Sequence, residues 1–431
     1  PELMADLLDF DFAIVGEGEQ TVVELLDHLK ENRDLSEVDG LIIKDKMGNK
    51  TFTKPRRRMR DLDSLPFPDF EALGYDEYLD NMASNDGQLF GELDYPRCYY
   101  ILGSRGCAFQ CTFCYHSLGV NYSERSFDNI IEEIKFALKR YKINHIYFYD
   151  DLFNVNKRKM YEFCKRIKPI VDQNPWRFRW TCQSWVGGVD KDLLREMKNS
   201  GCSWVSFGFE SYSNTVLKSM HKPTTSKNIK ETVEALKELE MPILGNFIFG
   251  DVAETKETAS ETLKYWEENC EGQIKLDFIQ QYPGSRIYNI SIEKGLIKDK
   301  EDFIKNRMTH NIYSNFTENM TDEEYEELQK HVYKAKRKYM HYIVPSKINM
   351  RKDEIYDLEA TCPYCKETTN YKNCFIKNKK FFTFIVHCRN CPKRFFVCSF
   401  LYKINAYYYH ELEFLRSNYL RVRDKILRAS I

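Results

Sequence analysis

The stretch Cys107-Ala-Phe-Gln-Cys111-Thr-Phe-Cys114 decides the fold, because it places three cysteines in a C-x3-C-x2-C spacing on one short loop. A strand-like segment and a glycine turn at 103–106 precede this loop. Three thiolates can hold a cluster of four irons and four sulfurs while one iron stays open for a substrate or cofactor. A disulfide pair, or a zinc knuckle completed by a ligand elsewhere, is the alternative interpretation of the spacing.

Downstream of this loop the chain alternates strand patterns with helix patterns. Amphipathic helices are predicted at 126–141, 190–199 and 226–240, among others. This alternation predicts an α/β fold built from parallel βα units, in which ligands bind at the carboxyl ends of the strands. The predicted strands are 98–102, 145–149, 178–182, 203–207, 243–249 and 274–280.

The cysteine spacing, Tyr115 directly after it and the six βα units together resemble the radical S-adenosylmethionine (radical SAM) enzymes. The resemblance implies a partial (β/α)6 barrel in which Cys107, Cys111 and Cys114 hold a 4Fe–4S cluster. In that family the open iron is chelated by the methionine part of S-adenosylmethionine, and cleavage of this cofactor leads to hydrogen abstraction from the substrate. The resemblance also implies an external electron donor such as flavodoxin or ferredoxin.

Cofactor contacts are implied at the ends of the second and fourth strands. Asp150 and Asp151 stand where the family has an acidic motif near the methionine ammonium, and a carboxylate there makes a charge-assisted hydrogen bond. A helix N-cap is the alternative role for these aspartates. Gly208-Phe-Glu210-Ser resembles the family's G-x-E-S motif, whose acid lies near the ribose hydroxyls or the methionine.

Weaker cofactor contacts are implied at Tyr115, Gln183 and Glu254. The segment Gly250-Asp-Val-Ala-Glu-Thr resembles a G-x-P-G-E-T motif but lacks its proline and second glycine. Many relatives have an arginine at the position of Trp185, so the cofactor contact there is expected to differ.

The segments before the barrel resemble the end of a cobalamin-binding domain and its linker. A strand at 11–15, a Gly16-Glu-Gly-Glu turn and a helix with a Thr21/Glu24 capping box are followed by strands near 41–43 and 50–52. A Leu-Asp-x-Leu-Pro-x-Pro linker follows. The resemblance implies methyl transfer from cobalamin in a longer protein, of which this chain is expected to be a fragment. The Asp-x-His-x-x-Gly loop that supplies the lower cobalamin ligand in many relatives is absent from this chain.

Near the carboxyl terminus, Cys362-Pro-Tyr-Cys365 and Cys388-Arg-Asn-Cys391 form two C-x2-C knuckles separated by 22 residues. Strand patterns at 381–386 and 395–397 flank the second knuckle, which is typical of a zinc ribbon with a structural four-thiolate site. A second iron–sulfur cluster is the alternative, because Cys374 and Cys398 add further thiols.

These patterns divide the chain into six parts. A cobalamin-domain remnant is predicted at 1–60, a linker at 61–96 and the radical SAM core at 97–290. A helical extension is predicted at 291–350, with a Thr321/Glu324 capping box, then the ribbon at 351–400 and a C-terminal helix at 401–431, mainly 403–428.

The amino-acid composition limits the kinds of binding partner and the location that can be expected for this protein. The net charge is −1, so the overall charge of the chain does not indicate binding to nucleic acid or to an anionic membrane. No apolar run approaches the ~18 residues of a membrane span. Fourteen cysteines without a signal peptide suit a reducing cytosol, so a soluble cytoplasmic protein is predicted. The basic run at 56–60 is interpreted as a solvated linker, and a small-molecule or peptide substrate is favoured.

Two other functions remain open from the sequence. A methylthiotransferase-like RNA modifier shares the core but would carry three further N-terminal cysteines, and residues 1–97 contain none. A metal-dependent binding or scaffold protein with a degenerate first cluster is the other, although all three cysteines of that loop are intact.

Overall fold

The computed structural model describes residues 1–116, 119, 121–153, 156–308 and 313–406. Its centre is a six-stranded sheet in which neighbouring strands are parallel and follow one another in chain order. Each strand lies within three residues of its predicted bounds, and the α/β fold with a partial barrel is confirmed. The strands are β1 (Cys98–Ile101), β2 (His145–Phe148), β3 (Arg179–Ser184), β4 (Cys202–Glu210), β5 (Ile243–Phe249) and β6 (Lys275–Phe278).

Helices cover the outer face of this sheet. Aromatic side chains fill the layer between them: Phe148 of β2 and Trp180 of β3 are fully buried and meet Phe163 of a helix edge to face. Burying each such ring contributes about 1.5–3 kcal/mol, which fixes the strands against the helices. The helices around the barrel are Phe127–Tyr141, Lys157–Gln173, Lys191–Asn199, Asn214–Ser219, Ser226–Glu238, Lys256–Asn269 and Arg286–Glu293.

The N-terminal segment forms a small antiparallel sheet of Phe12–Ile14, Leu41–Lys44 and Lys50–Phe52, packed with the helix Glu19–Glu31. The predicted capping box at Thr21 is wrong, because the helix begins two residues earlier with Gly18 as its N-cap. The Thr21 hydroxyl instead donates to the carbonyl of Asp39 at 3.0 Å, which ties the helix to the sheet.

The C-terminal part begins with the helix Asp322–Tyr339, whose Thr321/Glu324 capping box is confirmed. Two three-stranded sheets follow. One contains Lys347–Lys352, Ile355–Thr361 and Thr368–Phe375, and the other contains Tyr342–Ile343, Arg394–Cys398 and Thr383–His387. Residues 403–406 of the predicted helix at 403–428 are helical, and the rest of that helix lies outside the described residues. Within the described ranges, no helix combines the length and the apolarity needed to cross the lipid bilayer.

The ribbon sheets close the amino ends of the barrel strands. The Arg394 backbone N–H donates to the side-chain oxygen of Gln273, just before β6, at 2.7 Å. The Arg394 guanidinium donates to the carbonyl of Ile243, the first residue of β5, at 3.3 Å. The ring of His387 stacks on Phe90 with 5.0 Å between centroids. The ribbon therefore forms the floor of the barrel, at the end opposite to the cysteine loop.

Candidate metal and cofactor site

The cysteine loop (residues 107–114) lies across the carboxyl ends of the barrel strands. The Thr112 N–H donates to the carbonyl of Met220 at 3.0 Å, and the Thr112 carbonyl accepts the N–H of Ile287 at 3.0 Å. Met220 ends the short helix after β4, and Ile287 lies in the helix after β6. Backbone hydrogen bonds therefore fix the loop from two sides of the barrel.

Two aromatic contacts also hold the cysteine loop in place. The ring of Phe109 meets Trp185 edge to face with 5.0 Å between centroids. Trp185, at the position where many relatives have an arginine, thus supports the cysteine loop. Tyr115 lies over Gly284, where φ is +94° and an added Cβ would be 2.7 Å from the tyrosine ring. Only glycine fits there without displacing Tyr115.

The three thiols of the loop suit a positively charged cluster. All fourteen cysteines lie in the described part of the chain and all are free. Burial raises the pKa of the Cys111 thiol to about 11, while the nearby Lys222 ammonium lowers it. Each thiolate in a 4Fe–4S cluster binds a different iron, so the sulfurs need not converge on one point. Three free thiols on one loop, with Cys111 buried, Cys107 half-buried, Cys114 exposed and a cation nearby, therefore fit such a cluster.

A buried ion pair joins this loop to the end of β4. The Lys222 ammonium donates to Glu210 at 2.8 Å, and the two side chains are only 12% and 8% exposed. Burial opposes the charge on Lys222, but Glu210 and then Cys111 raise its pKa above the ordinary value. Lys222 is therefore a fixed positive charge facing the thiols, and no sequence motif indicated it.

We expect Lys222→Met to destabilise the protein by about 3 kcal/mol, because it leaves the buried Glu210 carboxylate without its partner. Urea unfolding measures this change. The double variant Lys222→Met/Glu210→Gln should recover part of the loss, since neither charge is then buried alone. A single variant as stable as the wild type, or a double variant showing no recovery, would contradict the pairing.

Asp150 and Asp151, adjacent in sequence, have different environments. Asp150 is fully buried, and its carboxylate accepts the Gly103 N–H at 3.1 Å and the Ser104 hydroxyl at 2.5 Å. Burial raises the pKa of Asp150 to about 6, and these two hydrogen bonds oppose the rise. Asp151 is exposed, and its carboxylate adds to burial in raising the pKa of Cys107. Asp151 is therefore the one of the pair with a carboxylate available beside the cysteine loop.

Gln183 and Glu254 also lie at strand ends. The Gln183 amide donates to the hydroxyl of Tyr147 at 3.4 Å. Glu254 is fully buried, and one of its oxygens accepts the N–H of Gly250. Its other oxygen has no hydrogen-bond partner among the described residues. Burial raises the pKa of Glu254 to about 8, and the hydrogen bond from the Gly250 N–H opposes this rise.

This raised pKa predicts a stability that falls with rising pH. Between the ordinary pKa of 4.5 and about 8, the folded protein binds a proton at Glu254 that the unfolded chain has lost. We therefore expect the wild-type free energy of unfolding to decrease from pH 5 to pH 8 more steeply than that of Glu254→Gln. Urea midpoints measured at several pH values test this. The exposed Glu257→Gln is the control, and a wild-type slope equal to that of Glu254→Gln would contradict the assignment.

The basic run before the barrel is only partly solvated: Arg57 and Arg60 are exposed as predicted, whereas Arg56 and Arg58 are not. Arg56 pairs with Glu24, and the two arginines Arg56 and Arg58 are only 11% and 17% exposed. Arg58 donates to the carbonyl of Arg105 at 2.6 Å. Arg105 itself donates to Glu17 of the Gly-Glu-Gly-Glu turn at 3.1 Å. The N-terminal segment is therefore bound directly to the strand that leads into the cysteine loop.

The four C-terminal cysteines form a second candidate site. The sulfurs of Cys362, Cys365, Cys388 and Cys391 all lie within 4.8 Å of one another. Two of the separations are 3.8 and 3.6 Å, close to the ~3.8 Å that a tetrahedral ion with ~2.3 Å bonds requires. Cys374 contacts the Ser84 hydroxyl instead, at 3.2 Å. The geometry fits one tetrahedral metal ion held by four thiolates.

A partial parallel barrel with three thiols over its strand ends defines a class of proteins that hold an iron–sulfur cluster at the mouth of the barrel. Residues 101–265 match the family model described as the Radical SAM superfamily. Residues 101–265 therefore form a radical SAM domain, and this fold implies a 4Fe–4S cluster and S-adenosylmethionine.

Two curated relatives are methyltransferases by name. Over 300 residues the chain is 32% identical to the uncharacterized methyltransferase PH0819 of Pyrococcus horikoshii, covering 69% of this chain and 61% of that protein. It is 26% identical over 342 residues to cytidylyl-2-hydroxyethylphosphonate methyltransferase of Streptomyces wedmorensis, covering 72% and 62% of the two chains. The chain thus spans about three fifths of the length of these relatives.

A solved structure confirms the fold. The radical S-adenosylmethionine methyltransferase TsrM from Kitasatospora setae, with cobalamin and a 4Fe–4S cluster bound, aligns with a TM-score of 0.52 at 17% identity. The alignment covers 67% of this chain and 54% of that one. At this identity the likeness shows a shared architecture of the core.

Proposed function

We propose that this chain carries out radical SAM chemistry on a small-molecule or peptide substrate. One observation carries the proposal: three free thiols are fixed over the carboxyl ends of a parallel barrel, beside the buried Lys222–Glu210 pair. An electron-transfer protein would need a fourth thiolate to close the cluster, and the loop supplies three.

Cys107, Cys111 and Cys114 would hold the 4Fe–4S cluster. When bound, the cluster supplies the electron that cleaves S-adenosylmethionine. Lys222 places a positive charge beside the thiolates, Trp185 packs on Phe109 of the loop, and Tyr115 packs on Gly284. These contacts hold the loop in place over the strand ends.

The polar residues at the strand ends would bind S-adenosylmethionine. Asp151 is suited to the methionine ammonium because it is exposed beside Cys107. Glu210 is suited to the ribose hydroxyls or the methionine, because the Lys222 ammonium binds only one of its two carboxylate oxygens. Gln183 offers a neutral amide. This set combines one anion for the ammonium with hydrogen-bonding groups for the remainder of the molecule.

Three other residues that were predicted to contact the cofactor would instead hold the backbone around the cofactor site in place. Asp150 uses both oxygens to hold the segment after β1, at Gly103 and Ser104. Glu254 stabilises the turn after β5 by accepting the Gly250 N–H. Tyr115 packs over Gly284 beside the last cysteine of the loop. We infer that these contacts fix the shape of the cofactor pocket.

Methyl transfer is the reaction that the relatives' names favour, and TsrM was solved with cobalamin. The residues present here lack the Asp-x-His-x-x-Gly loop, so the chain does not show a complete cobalamin site and we derive no step through this cofactor. An external electron donor such as flavodoxin or ferredoxin would supply the reducing equivalent.

The four C-terminal cysteines would bind zinc in a structural role. Four thiolates leave no open position for a substrate, so catalysis at this ion is not expected. The ribbon contacts Gln273 and Phe90 at the amino ends of the barrel strands, which supports a structural role in the enzyme over a role in binding nucleic acid.

The proposed function is tested by formation of 5′-deoxyadenosine. The protein is reconstituted anaerobically with iron and sulfide, reduced with dithionite in the presence of S-adenosylmethionine, and assayed by mass spectrometry. We expect 5′-deoxyadenosine from the wild type and at least a hundredfold less from Glu210→Gln/Asp151→Asn. A fully loaded cluster that yields no 5′-deoxyadenosine would refute the proposal.

A further inference from the structure

A cavity of about 680 Å³ lies along the free edge of β1, between that strand and the linker of residues 62–70. We call it the edge cavity. The linker contributes apolar side chains to its wall, among them Leu65, Pro66 and Phe67. The barrel contributes Tyr100 and Leu102 of the β1 region. Its volume falls in the ~300–1,000 Å³ range of small-molecule sites.

Three tyrosines form the barrel side of the edge cavity. The ring centroid of Tyr100 lies 6.0 Å from that of Tyr147 and 6.3 Å from that of Tyr149. The centroids of Tyr147 and Tyr149 are 5.5 Å apart, so each ring contacts the other two. Tyr100 and Tyr149 are 38% and 61% exposed, and the neighbouring Leu102 is 48% exposed. Exposed aromatic faces at this density favour stacking with a flat partner over contact with water.

The charged side chains of the edge cavity are already paired. Arg125 forms an ion pair with Glu133 at 2.6 Å, and both side chains are largely buried. Arg105 is bound to Glu17 at 3.1 Å and also to Glu19. A charged ligand would therefore have to break one of these pairs, whereas an uncharged ligand would not.

The edge cavity extends to the carboxyl ends of the strands, where the candidate cluster site lies. Tyr149 directly follows β2 and precedes Asp150, and Arg105 stands two residues before Cys107. Both lining residues thus lie at the carboxyl ends of the strands, on the side of the cysteine loop. A ligand in this cavity would present one end to the place where radical chemistry is proposed.

We propose that the edge cavity binds an uncharged, planar, apolar part of the substrate by stacking on Tyr100 and Tyr149. That the occupant is the substrate rests on the proposed radical SAM function. The binding itself does not, because the cavity and its lining are independent of the cluster.

The experiment measures binding of Nile red, an uncharged planar dye, to the full chain by its fluorescence. Tyr149→Ala removes a stacking face, and Leu102→Glu places a charge in the apolar wall. Tyr149→Phe keeps the ring, and Tyr161→Ala removes a half-exposed tyrosine from a helix outside the cavity. Fluorescein, a planar dianion, is measured beside Nile red. Formation of 5′-deoxyadenosine is measured on the same preparations.

We expect saturable 1:1 binding of Nile red that weakens at least tenfold in Tyr149→Ala and Leu102→Glu and changes less than twofold in Tyr149→Phe and Tyr161→Ala. Equal affinity across all variants, or absence of saturable binding, would overturn the proposal. Fluorescein binding as tight as that of Nile red would overturn its uncharged character. Failure of dye binding with normal 5′-deoxyadenosine formation refutes the cavity alone, whereas the reverse pattern refutes the proposed function alone.

Discussion

Replacing Cys111 by alanine is expected to abolish the iron–sulfur cluster. Iron in the reconstituted protein should fall from about four atoms per chain to less than one, because two thiolates cannot hold the cubane. Cys111 is central in the loop: its neighbour Thr112 carries both backbone hydrogen bonds that anchor the loop to the barrel. Iron and acid-labile sulfide assays, with the absorbance near 400 nm, measure the loss.

The matched control is Cys164→Ala. Cys164 is also buried but lies in the helix Lys157–Gln173, away from the loop. It should retain the full iron content with only the small loss of stability that a missing sulfur causes. Equal iron in Cys111→Ala and the wild type would show that the loop does not hold the cluster.

Replacing Cys388 by alanine is expected to prevent metal binding at the four C-terminal cysteines and to destabilise the packing of the ribbon against the barrel. The zinc content should fall from about one atom per chain to near zero, and the thermal unfolding midpoint should drop by about 10 °C. The barrel is affected because His387, next to this cysteine, stacks on Phe90, and Phe90 packs on Trp204 of β4. Metal analysis and calorimetry measure the two effects.

Cys398→Ala provides the comparison for this variant. Cys398 is buried in a ribbon strand but is not one of the four clustered thiols. We expect this variant to keep its zinc and to lose only about 3 °C. The four thiols would not bind a stabilising ion if Cys388→Ala kept its metal, or if its thermal unfolding midpoint equalled that of Cys398→Ala.

The barrel could be predicted because short strand patterns alternate with amphipathic helices along the chain. In β2 all four residues are buried. The cysteine loop could be predicted because its ligands are local in sequence. The strand-end residues could be located, but not their partners. The sequence does not distinguish Asp150, bound to Ser104, from its exposed neighbour Asp151.

The features that could not be predicted from the sequence depend on contacts between residues far apart in the chain. Gln273 and Arg394 are 121 positions apart, and no local pattern indicated that the ribbon closes the barrel. Lys222 lacks a motif because its role depends on the fold bringing it beside Glu210 and the thiols. The buried state of Arg58 could have been suspected from the complementary acids of the Gly-Glu-Gly-Glu turn, since buried arginines need partners.

The most direct test of an open iron in this chain is the electron paramagnetic resonance spectrum of the reduced, reconstituted protein before and after S-adenosylmethionine is added. We expect the signal of a reduced 4Fe–4S cluster whose g values shift when the cofactor binds, and which is absent in Cys111→Ala. A cluster signal that is identical with and without S-adenosylmethionine would contradict the radical SAM assignment, because it would show that the cofactor does not reach the iron.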